Sequence, residues 1–195
     1  MLKKVFASAA IMLVATTVMF AQKLPPSPKR AAETQIGGKW LEVTYGAPIL
    51  RGRTNIFGAG ADYGKKVLID GATIWRAGAN KSTRLRTEAP LVIGGKTVPA
   101  GEYSVFIDLK PTAWTFVLSN WAAAENYPSP SKDQLWGSFD YTPDKDVVRA
   151  PMKLSKNTMS VDQLTWGFAN VTATGGELVI MWEKEIASVP FTIAK

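Results

Sequence analysis

From Trp40 onward the chain is a succession of short runs of β-forming residues, each ended by a glycine or proline turn, with no amphipathic helical stripe of about ten residues between them. Trp40–Tyr45 alternates cleanly, and Gly46 and Pro48 close it. Ser82 to Glu88 places Ser82, Arg84, Arg86 and Glu88 on one strand face and Thr83, Leu85 and Thr87 on the other. Gly94-Gly95 joins Leu91–Ile93 to Lys96–Val98 as a two-residue hairpin, and Asp70-Gly71 is a weaker signal of the same kind between Val67–Ile69 and Ala72–Trp75. Tyr103–Leu109, Trp114–Ser119, Val147–Leu154, Val161–Ala169, Leu178–Trp182 and Val189–Ile193 continue the pattern, and Pro151 marks an edge or a bulge. The expected fold is all-β: a single antiparallel β-sandwich or jelly-roll-like domain of about nine short strands over 40–195.

The N-terminus reads differently. Lys3 and Lys4 precede an apolar run from Val5 to Phe20, and Ala21 offers a small residue for cleavage, so 1–21 is expected to be a signal peptide. Met19 is larger than the residue usual three positions before a cut, which leaves an uncleaved anchor as the alternative. Three prolines and a Gly-Gly pair in 22–39 suggest an extended Pro/Gly-rich lead-in rather than a packed element. The expected product is periplasmic or secreted, with no stable membrane span after cleavage. Without cysteine it must be held by its core alone.

Removing Lys3 and Lys4 lowers the formal charge from +7 to +5. The excess is concentrated: eight basic residues lie between Arg51 and Arg86, against Asp62 and Asp70. Such a segment is either a solvated face or the footprint of an anionic partner.

The absence of histidine and cysteine removes whole classes of chemistry, including imidazole and thiolate metal sites and Ser-His-Asp or Cys-His catalysis. No glycine loop has phosphate-binding spacing, and no cofactor or nucleic-acid motif stands out. Carboxylates remain. Asp140, Asp144 and Asp146 cluster around Pro143, but their spacing misses calcium loops and reads as a solvated acidic turn. Glu183 and Glu185 are the pair a hydrolase would need. Trp75, Trp114, Trp121, Trp136 and Trp166 are either core or a sugar-stacking platform, with core the ordinary role of such rings.

The densest local motif is Trp75-Arg76-Ala77-Gly78-Ala79-Asn80, with Thr83 beyond it. Together with YGAPILRGRTNIFG before it, Pro99-Ala100-Gly101-x-Tyr103-Ser104 after it and a C-terminal VPFTI, it resembles the bacterial family catalogued as domain of unknown function 2911. The segment KKVLIDGATI ahead of Trp75 is longer than in the commoner form of that family. The resemblance implies an exported, all-β module and no activity. Read physically, Gly78 and Asn80 shape a turn, Trp75 pins it and Arg76 reaches a carboxylate or carbonyls.

Three functions follow from these residues. The first is a module that binds an anionic small molecule, glycan or protein through Arg51, Arg53, Trp75, Arg76, Asn80, Arg84 and Arg86. The second is a structural or interaction module of the cell envelope, in which the same residues brace the fold. The third is a histidine-free carboxylate hydrolase. Binding requires Arg84 and Arg86 to stay unpaired. Bracing requires them to meet acids such as Glu42, Glu88, Glu102 or Asp108.

Overall fold

A computed structural model describes residues 26–194, so the expected leader and its cleavage point at Ala21 lie outside the described residues. Twelve strands follow: β1 Lys29–Ile36, β2 Lys39–Gly46, β3 Thr83–Thr87, β4 Leu91–Ile93, β5 Lys96–Val98, β6 Gly101–Lys110, β7 Ala113–Ser119, β8 Ala122–Ala123, β9 Gln134–Leu135, β10 Asp146–Pro151, β11 Lys153–Thr172 and β12 Gly175–Ile193. The only helical pieces among the described residues are single 3₁₀ turns at Gly60–Asp62 and Pro143–Lys145. A six-stranded antiparallel sheet, β1-β2-β3-β6-β7-β10, packs on a four-stranded sheet, β11-β12-β4-β5, as a β-sandwich.

Alternation builds the core. Leu41, Val43 and Tyr45 of β2, Leu85 of β3, Tyr103, Val105 and Ile107 of β6, and Trp114, Phe116 and Leu118 of β7 point inward. They meet Leu164 and Trp166 of β11, Leu178, Ile180 and Trp182 of β12, and Leu91 and Ile93 of β4. The opposite side of the six-stranded sheet is covered only in part. Phe106 and Val117 are buried there beneath Trp121 and Leu135, so the 120–141 segment lies over β6 and β7 and leaves β2 and β3 open. Where β2 ends, the chain crosses to the other sheet: Leu50 N–H donates to Asp162 O at 2.7 Å, and Leu164 N–H to Pro48 O at 2.9 Å.

The Gly94-Gly95 turn forms as expected, with φ of 57° and 77°, both in the left-handed region of a type I′ turn. Four expectations are corrected. The lead-in is not unpaired, because Lys29–Ile36 forms β1 and pairs along its whole length with β2. Asp70-Gly71 is a turn without strands on either side, and Trp75 instead bridges Ile107. Twelve strands replace about nine, and two are long: Val161–Ala169 lies within the 20 residues of β11, while Leu178–Trp182 and Val189–Ile193 are one 19-residue β12. β11 stays on β12 across its polar stretch through Lys156, opposite Glu185, and Val161, opposite Glu183, while 157–160 between them fall in a shift of register. Val147–Leu154 divides at Met152, whose N–H donates to Trp114 O at 2.9 Å, and Pro151 ends β10 at the sheet edge.

Candidate functional site

The Trp75–Asn80 motif is a joint between backbones. A Cβ on Gly46 would lie 2.0 Å from Ala79 O, and one on Gly78 2.9 Å from Gly46 O. Only glycine at both places lets Ala79 N–H donate to Gly46 O at 3.1 Å. Ala77 and Asn80 adopt φ of 54° and 63°. The Ala77 carbonyl accepts from Thr83 Oγ1 at 3.1 Å and from Trp166 Nε1 at 2.9 Å, which ties the motif to both sheets. The second motif is a joint as well: the Tyr103 hydroxyl donates to Pro99 O at 2.9 Å, and Ser104 Oγ to Trp121 O at 2.6 Å.

The structure disperses most of the seven candidate residues. Trp75 is 1% exposed and is corrected to a core ring: it stacks on Trp182 at 6.4 Å and meets Phe57 edge-on at 5.6 Å. Arg53 folds back on its own loop, donating from Nε to Leu50 O at 3.0 Å and from an Nη to Ile49 O at 2.9 Å. The Arg51 N–H donates to Asp162 Oδ1 at 3.2 Å, beside the crossing between the sheets. Arg76 is half-buried against the turn at Gly137, its Nε is buried without a hydrogen-bond partner, and burial lowers its pKa.

Arg84 and Arg86 project from the outer face of β3, and acids flank both. Register sets Arg86 between Glu42 of β2 and Glu102 of β6, while Arg84 forms an ion pair with Glu102. Burial lowers the pKa of Arg84, and the charge of Glu125 opposes that effect. Asn80 donates from Nδ2 to Ser27 O at 3.3 Å.

Of the seven, Asn80 and Arg84 line a common cleft. It is a groove of about 510 Å³ between the open face of β2 and β3 and the 120–141 segment. Three cations line it, Lys29, Lys81 and Arg84, against three carboxylates, Glu42, Glu102 and Glu125. Trp136 forms part of its wall. Lys81 is paired with Glu125, and the hydrogen bond and charge of Lys81 hold the Glu125 carboxyl below its ordinary value. Glu42 and Glu102 are among the acids expected opposite the arginines, and cross-strand register puts them there. Lys29 and Glu125 carry no such signal, because β1 and the 120–141 segment reach the groove only through the fold.

Glu183 and Glu185 do line one cleft, of about 330 Å³, together with Tyr63 and Lys156. Both are engaged. Glu183 accepts the N–H groups of Asn55 at 2.5 Å and Ile56 at 2.9 Å, and Glu185 pairs with Lys156 at 2.8 Å. At the acidic turn, Asp146 accepts from the Tyr141 hydroxyl at 2.6 Å and from Arg149 at 2.8 Å, and Asp144 accepts from the Thr142 hydroxyl.

No curated protein and no solved structure matches the chain. A family match does exist, over residues 27–191, which spans every strand from β1 to β11 and nearly all of β12. With that much of the chain matched, it belongs to the family described as Protein of unknown function (DUF2911).

Proposed function

We propose that this protein is an exported binding module without catalytic activity, and that its ligand lies in the groove over β2 and β3 and carries charge of both signs. Export is supported by the n-region lysines, the apolar run and Ala21. The observation that carries the ligand class is the even count of cations and carboxylates along the groove. A purely anionic ligand would gain from Lys29, Lys81 and Arg84 what it loses to Glu42, Glu102 and Glu125. A short peptide with free termini, or another ligand bearing ammonium and carboxylate together, answers both rows. The Lys81 and Glu125 side chains are 41% and 72% exposed, so their pair contributes at most about 1 kcal/mol and exchanges readily for ligand contacts.

Bracing is the second reading, favoured by the internal hydrogen bonds of Ala77, Ala79, Asn80, Thr83, Tyr103 and Ser104 in the two motifs. A thermal-shift titration with tetrapeptides separates the two. A ligand at a hundred times its dissociation constant adds about 2.7 kcal/mol to the native state. Free-terminal tetrapeptides are expected to raise the melting temperature, whereas N-acetylated, C-amidated ones and the Arg84→Ala variant show no shift. If no peptide moves the wild type while Arg84→Ala alone lowers its melting temperature, the groove is a brace.

A further inference from the structure

Beside the groove, on the other side of Trp136, lies a second depression of about 720 Å³. Its floor is aromatic. Tyr127 is 64% exposed, its ring centroid is 5.3 Å from that of Phe139 and 6.5 Å from that of Trp136, and the rings are inclined at 38° and 54°. The Gln134 amide, the Lys132 ammonium and the Asp140 carboxylate stand at its edge. From the tryptophans singled out in the sequence, Trp75, Trp114, Trp121 and Trp166 are buried, and Trp136 is the one left half-open.

Hydrogen bonds anchor the backbone that carries Trp136 and Phe139. Ser82 Oγ donates to Leu135 O at 3.2 Å and to Gly137 O at 2.5 Å, and Ala124 N–H donates to Leu135 O at 2.8 Å. Phe139 N–H closes the turn onto Trp136 O at 3.2 Å. A surface ordered before binding loses little entropy when a ligand arrives.

We propose that this basin is a saccharide-binding site that takes a neutral oligosaccharide. The apolar faces of pyranose rings stack on aromatic side chains, while their hydroxyls need donors and acceptors at the rim, and the basin offers both. Its geometry disfavours other occupants. An ammonium cage requires rings that stand apart around the cation, whereas these touch one another, and Lys132 would repel the charge. Proline-rich helices seat in slots between ring ridges, and contact between the rings leaves no slot. An anion would face Asp140. The site is separate from the groove, although Trp136 belongs to both walls.

Isothermal titration of the mature chain with four neutral hexasaccharides tests this: β-1,4-linked glucose, β-1,4-linked N-acetylglucosamine, β-1,4-linked xylose and α-1,4-linked glucose. At least one is expected to bind. Tyr127→Ala and Phe139→Ala should each weaken it roughly tenfold, and Tyr127→Phe should keep it, since the ring face is retained. Arg84→Ala, which reports on the groove, should leave it within about twofold. The exposure of Tyr127 makes its variants safe for folding, and an unchanged melting temperature verifies that. Binding by none of the four overturns the proposal. So does saccharide binding that survives both ring deletions, or that disappears with Arg84→Ala alone.

Discussion

Glycine identity in this chain is decided by what a methyl group would hit. Gly46 faces the Ala79 carbonyl so closely that alanine there requires the turn to move. Gly46→Ala is expected to cost about 3 kcal/mol, read from the urea midpoint. Gly167 in β11 is the control, because a Cβ there meets nothing within 4 Å. Gly167→Ala should be neutral or stabilise by up to about 1 kcal/mol. A second residue-scale effect concerns charge. Lys81 depresses the Glu125 carboxyl through a hydrogen bond and its positive charge, so the pair stabilises the fold above the ordinary carboxylate range. That stability is lost as pH falls through the depressed folded value, and at this exposure it amounts to at most about 1 kcal/mol. In Lys81→Ala the Glu125 side-chain titration, followed by NMR, should move up toward the ordinary carboxylate value.

Among the elements, the 51–64 loop shows how one side chain orders a stretch with little structure of its own. Glu183 has φ of 54° and sits where the pairing of β11 with β12 shifts register, and that kink aims its carboxylate at the loop. There it accepts two consecutive N–H groups, from Asn55 and Ile56. Glu183→Gln keeps the shape but replaces a double acceptor with an amide, and is expected to cost about 2 kcal/mol. Hydrogen exchange at Asn55 and Ile56 should speed up while the β6 amides stay protected. Elements of this kind were the least legible in the sequence. Alternating strands such as β2, β6 and β7 announced themselves because burial on one face writes a period of two. β1 did not, since its side chains are mostly exposed and its pairing with β2 is all backbone. The polar half of β11 failed for the same reason. Asp70-Gly71 had the right dipeptide, but Trp75 is committed to Ile107, which leaves its following arm no partner.

At the scale of the whole molecule, the site was only half legible. Sequence placed Asn80 and Arg84 together and anticipated acids opposite the arginines, but a groove lined from β1, β2, β3, β6 and the 120–141 segment depends on strand order, which no local pattern encodes. Of the two roles open to Trp75, pinning its turn to the core and lining a ligand site, its burial matches the first. Its neighbours in space are Phe57, Trp114 and Trp182, a ring cluster joining the 51–64 loop, β7 and β12. Both sheets and a loop therefore share one aromatic centre, and the sandwich should unfold as a unit. Far-ultraviolet and near-ultraviolet circular dichroism are expected to report one coincident thermal transition. Trp75→Ala removes the middle of the cluster and should cost about 4 kcal/mol, lowering the melting temperature by roughly 8–16 °C. Trp75→Phe should cost far less, because the Trp75 Nε1 is buried without a hydrogen-bond partner and phenylalanine discards that unsatisfied donor. A loss in Trp75→Phe as large as in Trp75→Ala would mean that the cluster needs the full width of the indole and that a phenyl ring cannot replace it.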